Sequence, residues 1–484
     1  MPPILYILVI TLLWPVVACS AEDAAPTLAG QRPNIIFILT DDQGYGDISA
    51  HGNPVLKTPN LDRLHAQGVR FTDFHVSPTC SPTRSALMTG RHEFRNGVTH
   101  TILERERLTP HATTLAQVLQ SAGYTTGIFG KWHLGDEPDR WPSRRGFEEM
   151  FIHGAGGIGQ SYPGSCGDAP GNTYFDPAIL HNGKFEKTSG YCTDIFFRQA
   201  TQWIETVKGG DRPFFCYIPT NAPHAPLTVK PEDEARYAGR VKQPEVAQFF
   251  GMIANLDDNV GRLLDQLAEW GLERNTLVIF MNDNGGTVGT SVFNAGMRGQ
   301  KVTPWLGGTR ASSFWRWPGT LSPADCPQLT AHIDFFPTLA ELAGAKLPDS
   351  VAAQVEGRSL APLLQNPESR WPDRTLFTHV GRWPKGAAAN DHKYAGCAVR
   401  TARWHLVSLG KQPGVWELFD LAADRGETTD VAAMHSDVVQ RLNAEYNAWW
   451  DSLPPYLVNE SAVPPAENSF KTLFQKQFGK PDAN

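Results

Sequence analysis

Residues 77–90 read Ser-Pro-Thr-Cys-Ser-Pro-Thr-Arg-Ser-Ala-Leu-Met-Thr-Gly, and this stretch predicts the start of a helix beside a cysteine. Pro82 fixes φ near helical values and has no N–H group to leave unpaired, so it suits the first turn of a helix that Ser81 caps. Cys80 would then lie just outside the helix N-terminus, where free N–H groups and the helix dipole attract an anion. Arg84 can lean back over the same place, because helical side chains tilt toward the N-terminus.

Oxygen-bearing side chains follow two apolar runs, residues 34–40 and 276–281, which predict buried strands of an α/β sheet. These side chains are Asp41, Asp42, Asp283 and Asn284. Ligands of open α/β sheets bind at the carboxyl ends of the strands, and an all-oxygen set suits a hard cation such as Ca²⁺ or Mg²⁺. Either pair alone could instead be a turn or a helix cap.

Basic and imidazole side chains occur at further strand ends. Lys131 and His133 alternate at the end of a strand, so both can point to one face. His224 lies between two prolines that stiffen its backbone, and an imidazole held at a strand end can donate a proton to a leaving group. Taken singly, Lys131 and His133 fit a surface lysine and a structural histidine better, and His224 could also be a structural histidine in a loop.

Four segments together resemble the type I sulfatases of the alkaline phosphatase superfamily. They are residues 77–90, 123–135, 298–310 and 417–421. The resemblance covers roughly residues 32–453 and implies an α/β fold: a large, mostly parallel sheet sandwiched by helices, with a smaller C-terminal α+β subdomain that contains an antiparallel sheet. Phe129, Leu306 and Ala311-Ser312 depart from the family pattern.

The resemblance also implies a set of catalytic roles. In that family the cysteine matching Cys80 is converted by a formylglycine-generating enzyme to formylglycine, whose hydrated aldehyde is the nucleophile. The implied metal is Ca²⁺ rather than Mg²⁺. Its ligands would be Asp41, Asp42, Asp283, Asn284 and the converted Cys80. Lys131, Lys301 and Arg84 would supply positive charge to the sulfate. His224 would protonate the leaving group, and His133 would act beside the formylglycine.

The predicted function is hydrolysis of a sulfate monoester on a carbohydrate or aryl alcohol. A phosphodiesterase or phosphonate monoester hydrolase of the same superfamily is one alternative, and a non-catalytic binder of sulfated glycans is another. Candidates for the pocket wall are Trp141, His379, Arg382 and Trp383.

The length and net charge of the chain argue against one class of function. With 484 residues and a net charge of −7, the chain gives no support to nucleic-acid binding.

A catalytic domain is expected over residues 32–371, and a C-terminal subdomain with its tail over residues 372–484. The polar tail beyond Pro464 is expected to be poorly ordered.

An apolar run at residues 5–18 is too short to span a bilayer and predicts an export signal over residues 1–21. The segment before Cys19 resembles a bacterial lipobox, which would make residues 1–18 a lipoprotein signal and place a lipid on Cys19. The protein is therefore expected in the periplasm or anchored by lipid at the cell surface. Export permits disulfides, and Cys166 and Cys192 could pair.

Overall fold

The computed structural model describes residues 27–410 and 414–479. The predicted export signal, residues 1–21, and Cys19 lie outside the described residues. Within the described part of the chain, no helix combines the length and apolarity needed to cross a bilayer.

Most strands belong to one central sheet. In chain order the strands are β1 (Asn34–Thr40), β2 (Val69–Phe71), β3 (Phe74–His75), β4 (Thr125–Lys131), β5 (Glu149–His153), β6 (Ala178–His181), β7 (Lys184–Lys187), β8 (Phe214–Pro219), β9 (Thr276–Asn282), β10 (Arg310–Ala311), β11 (Ser313–Arg316), β12 (Ala324–Cys326), β13 (Thr330–Ala331), β14 (Leu376–His379), β15 (Cys397–Arg400), β16 (Trp404–Ser408) and β17 (Glu417–Asp420). The central sheet has the order β12-β2-β11-β9-β1-β8-β4-β5-β6-β7. Its middle strands, β9 through β5, are parallel, and antiparallel strands flank them on both sides.

Helices cover both faces of this sheet. They are α1 (Pro59–Gln67), α2 (Cys80–Thr89), α3 (Leu115–Ser121), α4 (Cys192–Val207), α5 (Pro231–Glu234), α6 (Pro244–Glu269), α7 (Leu306–Thr309), α8 (Phe335–Leu342), α9 (Asp349–Ala352), α10 (Ala361–Gln365), α11 (Ser436–Asp451) and α12 (Ser469–Phe478). Strand β1 shows why both faces need cover, because all of its residues are buried. Ile35, Phe37 and Leu39 pack into the core formed with α2, α3 and α8. Ile36 and Ile38 point the other way, toward α4 and α6.

A second sheet, β14-β15-β16-β17, is antiparallel throughout. It packs against α11 through a cluster that includes Trp449 and Trp450. The predicted fold class is therefore confirmed: a large sheet with a parallel centre lies between helices, and a small antiparallel sheet follows it. The division into domains at residues 371 and 372 stays a prediction.

The prediction of a poorly ordered tail is wrong for residues 469–478, which form α12. Asn468 caps this helix by accepting a hydrogen bond from Lys471 N. Phe470 is fully buried and contacts the rings of Trp141 and Phe185. Phe470, together with Leu473 and Phe474 packed against the same core, holds the helix in place. The polar average composition of the tail conceals these few apolar residues.

Candidate active site

The carboxyl ends of β1 and β9 bring the predicted metal ligands together. The two strands pair in parallel with Thr40 opposite Asn282, so the residues that follow each strand leave the sheet at the same edge. Asp42 N donates to Asp283 Oδ1 at 3.2 Å, and Asn284 Nδ2 donates to Asp42 Oδ1 at 3.1 Å. Side chains about 240 positions apart in sequence thus form one buried cluster.

The carboxylates in this cluster repel one another, and the repulsion affects their pKa values. Burial and the carboxylate of Asp41 raise the pKa of Asp283, although Arg84 contacts it. Burial would also raise the pKa of Asp41, but Lys131 and the other nearby cations outweigh it and hold that pKa well below its usual value. Two buried oxygens, Asp41 Oδ1 and Asn284 Oδ1, have no hydrogen-bond partner. Unpaired oxygens among crowded carboxylates fit a hard divalent cation, which would both coordinate them and offset their charge.

Helix α2 begins two residues earlier than predicted, so that Cys80 lies in its first turn and not outside it. It starts at Cys80 with Thr79 as its N-cap, so the prediction that Ser81 caps it is wrong. The Ser81 hydroxyl instead donates to the carbonyl of His133 at 2.7 Å. The thiol of Cys80 is buried at the helix start, with its Sγ 3.6 Å from His133 Nδ1.

His133 has a defined tautomer. Its Nε2 lies 2.9 Å from the carbonyl oxygen of Thr101, so Nε2 carries the proton and donates it there. Burial and the charge of Lys131 hold the pKa of His133 well below its usual value, so the ring is neutral. The lone pair of Nδ1 therefore faces Cys80.

Each predicted cation forms an ion pair with a carboxylate of the cluster. The pairs are Lys131 Nζ with Asp41 Oδ2 at 2.6 Å, Arg84 Nη2 with Asp283 Oδ2 at 2.8 Å, and Lys301 Nζ with Asp42 Oδ1 at 2.5 Å. Burial alone would raise the pKa of the Cys80 thiol, but Lys131 and Lys301 together lower it. Cations therefore lie close enough to the Cys80 thiol to favour negative charge there, although each is also paired with a carboxylate.

His224 lies next to the carboxylate of Asp42. Its Nδ1 lies 2.6 Å from the carbonyl oxygen of Ala225 and donates to it, which leaves Nε2 3.8 Å from Asp42 Oδ2. The hydroxyl of Tyr174 lies 2.6 Å from the carbonyl oxygen of His224 and anchors this loop. Ligand atoms of Asp41, Asp42 and His224 all lie within 4.8 Å of one another.

A cavity of about 240 Å³ opens above these groups. Cys80, His133, His224 and Lys301 line its floor, and its wall includes His100, Thr101, Gln160, Tyr162 and Arg382. Of the four predicted wall residues only Arg382 lines the cavity; Trp141, His379 and Trp383 lie outside it. A larger cavity of about 810 Å³ elsewhere contains none of the predicted site residues.

Sequence reasoning missed the residues that hold the catalytic groups in position. Thr101 orients His133, and Tyr174 anchors the His224 loop. Both lie in loops without a recognisable motif, so no local pattern marks them. Cys166 and Cys192, which the sequence allowed to pair, are both free thiols.

Comparison with known proteins agrees with this geometry. Residues 33–345 match the family model described as Sulfatase, and residues 308–449 match the one described as N-sulphoglucosamine sulphohydrolase, C-terminal. Arylsulfatase G of Rattus norvegicus is 34% identical over 427 residues, covering 79% of this chain and 76% of that protein. Arylsulfatase A of Homo sapiens is 34% identical over 383 residues, covering 73% and 72%.

Solved structures are also similar over most of the chain, and one of them has a bound saccharide. It is the crystal structure of Ps i-CgsB in complex with k-i-k-neocarrahexaose, with a TM-score of 0.79 and 28% identity. The match covers 90% of this chain and 95% of that one.

Proposed function

The chain belongs to the sulfatase family of the alkaline phosphatase superfamily and is a sulfuric ester hydrolase, and we propose that its substrate is a sulfate monoester of a carbohydrate. We propose further that Cys80 is converted to formylglycine and that the cluster beside it holds Ca²⁺. The observation that carries the proposal is one shared pocket. Cys80 lies there with Lys301 and His224, directly above buried carboxylate and amide oxygens that lack partners.

Asp41, Asp42, Asp283, Asn284 and the converted Cys80 would hold the metal. When bound, Ca²⁺ would polarise a sulfate oxygen and stabilise negative charge on the nucleophile. All the oxygens that this chain offers are hard ligands, which supports Ca²⁺ over a softer transition metal.

Other side chains would handle charge and protons. Lys131, Lys301 and Arg84 would offset charge as it moves from the sulfate to the leaving oxygen. As the imidazolium, His224 would donate its Nε2 proton to that oxygen, while its Nδ1–H stays hydrogen-bonded to the Ala225 carbonyl. His133, neutral with its Nδ1 facing position 80, would accept a proton from the converted residue.

A carbohydrate substrate is supported by the similar structure that was bound to k-i-k-neocarrahexaose. The apolar run at residues 5–18 supports export to the periplasm or, with a lipid on Cys19, to the cell surface. Conversion of Cys80 would make a formylglycine-generating enzyme a partner during maturation.

Rates on an aryl sulfate, an aryl phosphate and an aryl phosphonate test the proposal. We expect the sulfate to be the best substrate, and only in protein coexpressed with the maturating enzyme. Mass spectrometry of the peptide containing Cys80 should show the loss of mass that accompanies conversion. Faster turnover of the phosphonate, or full activity with an intact cysteine, would refute the proposal.

A further inference from the structure

Two wall residues of the active-site cavity have no part in the chemistry proposed above. His100 follows the short helical turn after α2, and Arg382 lies in the loop after β14. Both line the cavity that contains Cys80. They are close enough for the charge of Arg382 to act on the imidazole of His100.

The guanidinium of Arg382 has unused hydrogen-bonding capacity. Its Nη2 donates to Thr101 Oγ1 at 2.8 Å, while its Nε is buried without a partner. Among the described residues, no carboxylate forms an ion pair with it. The three catalytic cations are different, because each is already paired with an acidic side chain. Arg382 is therefore a cation whose acidic partner must come from elsewhere.

The backbone holds Arg382 in a fixed place. Its φ is +62°, in the left-handed region, and its N–H donates to the carbonyl oxygen of Thr99 at 3.1 Å. Gly381 approaches the same carbonyl so closely that a Cβ would lie 2.0 Å from the oxygen, so no other residue fits there. Next in the chain, Trp383 lies under the guanidinium of Arg105, whose Nη1 donates to the Trp383 carbonyl. A guanidinium fixed in this way loses little entropy when it binds an anion.

His100 presents a donor beside it. Its Nδ1 accepts hydrogen bonds from Thr101 N at 2.8 Å and Ile102 N at 3.1 Å, so the proton of the neutral ring must be on Nε2. Burial, Arg382 and Arg105 lower the pKa of His100 to about 3, so it stays neutral at ordinary pH. An N–H donor and a guanidinium that has no carboxylate partner among the described residues then line one cavity, and together they match an oxyanion.

We propose that Arg382 and His100 form a second anion subsite, which selects substrates carrying a second anionic group near the scissile sulfate. The inference rests on the proposed function and narrows it: the substrate is a saccharide with either a second sulfate or a carboxylate. A sulfate and a carboxylate both present anionic oxygens to a guanidinium. The structure therefore indicates an oxyanion, and the experiment below distinguishes the two groups.

A positioning role is the main competing explanation. Arg382 donates a hydrogen bond to the side-chain hydroxyl of Thr101. The backbone carbonyl oxygen of the same threonine accepts a hydrogen bond from His133 Nε2. If Arg382 served only to position His133, its loss would lower kcat equally for every substrate. A subsite residue instead changes the affinity for one class of substrate and not the other.

The test measures binding as well as turnover. Full-length Cys80→Ala protein, which cannot turn over, is titrated calorimetrically with three sulfated disaccharides: one monosulfated, one disulfated, and one monosulfated with a uronate carboxylate. We expect at least one doubly charged ligand to bind about tenfold tighter than the monosulfated one. Adding Arg382→Gln should reduce that ratio to about one, and Arg382→Lys should restore part of it.

Arg403→Gln is the matched control, because Arg403 also lies in a connection of the C-terminal sheet, between β15 and β16, is 59% exposed and pairs with Asp420. It changes net charge equally and should leave the ratio unaltered. In the converted enzyme, the same preference should appear in KM. Equal affinities for all three ligands, or an equal loss of kcat on all three in Arg382→Gln, would overturn the subsite. Failure to hydrolyse any sulfate ester would instead overturn the proposed function.

Discussion

The floor and the wall of the active-site cavity are built in different ways. Floor residues come from strand ends and from the start of α2, and their cations are all paired with buried carboxylates. Wall residues come from loops, and Arg382 has no carboxylate partner among the described residues. A floor whose charges are balanced and buried suits the one group that every substrate shares, the sulfate. A wall with unused donors suits the part of the substrate that varies.

The wall also depends on the tail helix. The loop over residues 154–171 carries Gln160 and Tyr162, and α12 and its cap contact this loop. A Cβ on Gly154 would lie 2.9 Å from the ring of Phe470, and Asn468 Nδ2 lies 3.4 Å from Ser165 O. The floor is thus held by the central sheet, whereas part of the wall is held by the last described helix.

The largest effect is expected at the nucleophile. Cys80→Ser should lower kcat by about 10⁴-fold or more on every substrate, because serine has no second hydroxyl with which to reform a carbonyl. Aryl sulfate and saccharide sulfate assays measure it, and circular dichroism checks the fold. Cys216→Ala, in buried strand β8, is the control and should retain turnover. Activity of Cys80→Ser near the wild-type rate would show that position 80 is not the nucleophile, and would refute the catalytic role given to the cavity floor.

Loss of a metal ligand should be nearly as damaging. Asp42→Asn is expected to lower kcat by about 10³-fold, because metal binding accounts for several kcal/mol of transition-state stabilisation. Ca²⁺ at about a hundred times its Kd should stabilise the wild type by about 2.7 kcal/mol and the variant by much less.

Thermal melts of chelated protein, with and without added Ca²⁺, measure the stabilisation by Ca²⁺ independently of activity. Asp265→Asn, whose side chain is 64% exposed, is the charge-matched control and should respond to Ca²⁺ like the wild type. A wild-type Tm that Ca²⁺ does not change would contradict the proposed metal.

A leaving-group dependence should appear at His224. His224→Ala is expected to lose about 10²- to 10⁴-fold on a saccharide sulfate, the range typical of a general acid. On 4-nitrophenyl sulfate, whose leaving group needs no proton, the loss should be much smaller. Exposed His111→Ala should change neither rate. Equal losses on both substrates would assign His224 to the metal cluster instead.

The smallest effect on catalysis is expected from the tail helix. Phe470→Ala removes a fully buried ring and should lower the free energy of unfolding by about 3–5 kcal/mol. Because α12 supports the wall and not the floor, KM for a saccharide sulfate should rise several-fold while kcat on an aryl sulfate changes little. Urea titrations and steady-state kinetics measure the two effects.

Phe478→Ala, at a ring that is 40% exposed, is the matched control and should cost less than about 1 kcal/mol. A fall in kcat on the aryl sulfate that matches the rise in KM would show that the floor also depends on α12.

The predictable part of the site follows from local pattern. Runs such as residues 34–40 are apolar on both faces, so they indicate buried parallel strands, and polar residues after them must emerge at one edge. The start of α2 was predicted two residues late because proline is tolerated throughout the first turn, so its position does not specify the first helical residue. With Thr79 as the N-cap, Ser81 is free to donate to the carbonyl of His133.

The sequence by itself determined which chemical groups the floor contains, since each stands in a motif beside a recognisable strand or helix. Tertiary structure alone decided what holds and surrounds them. Arg382 meets Thr101 across 281 positions of chain, and Phe470 reaches the core from a polar tail. Such contacts depend on how distant loops pack together, and neither periodicity nor composition carries that information.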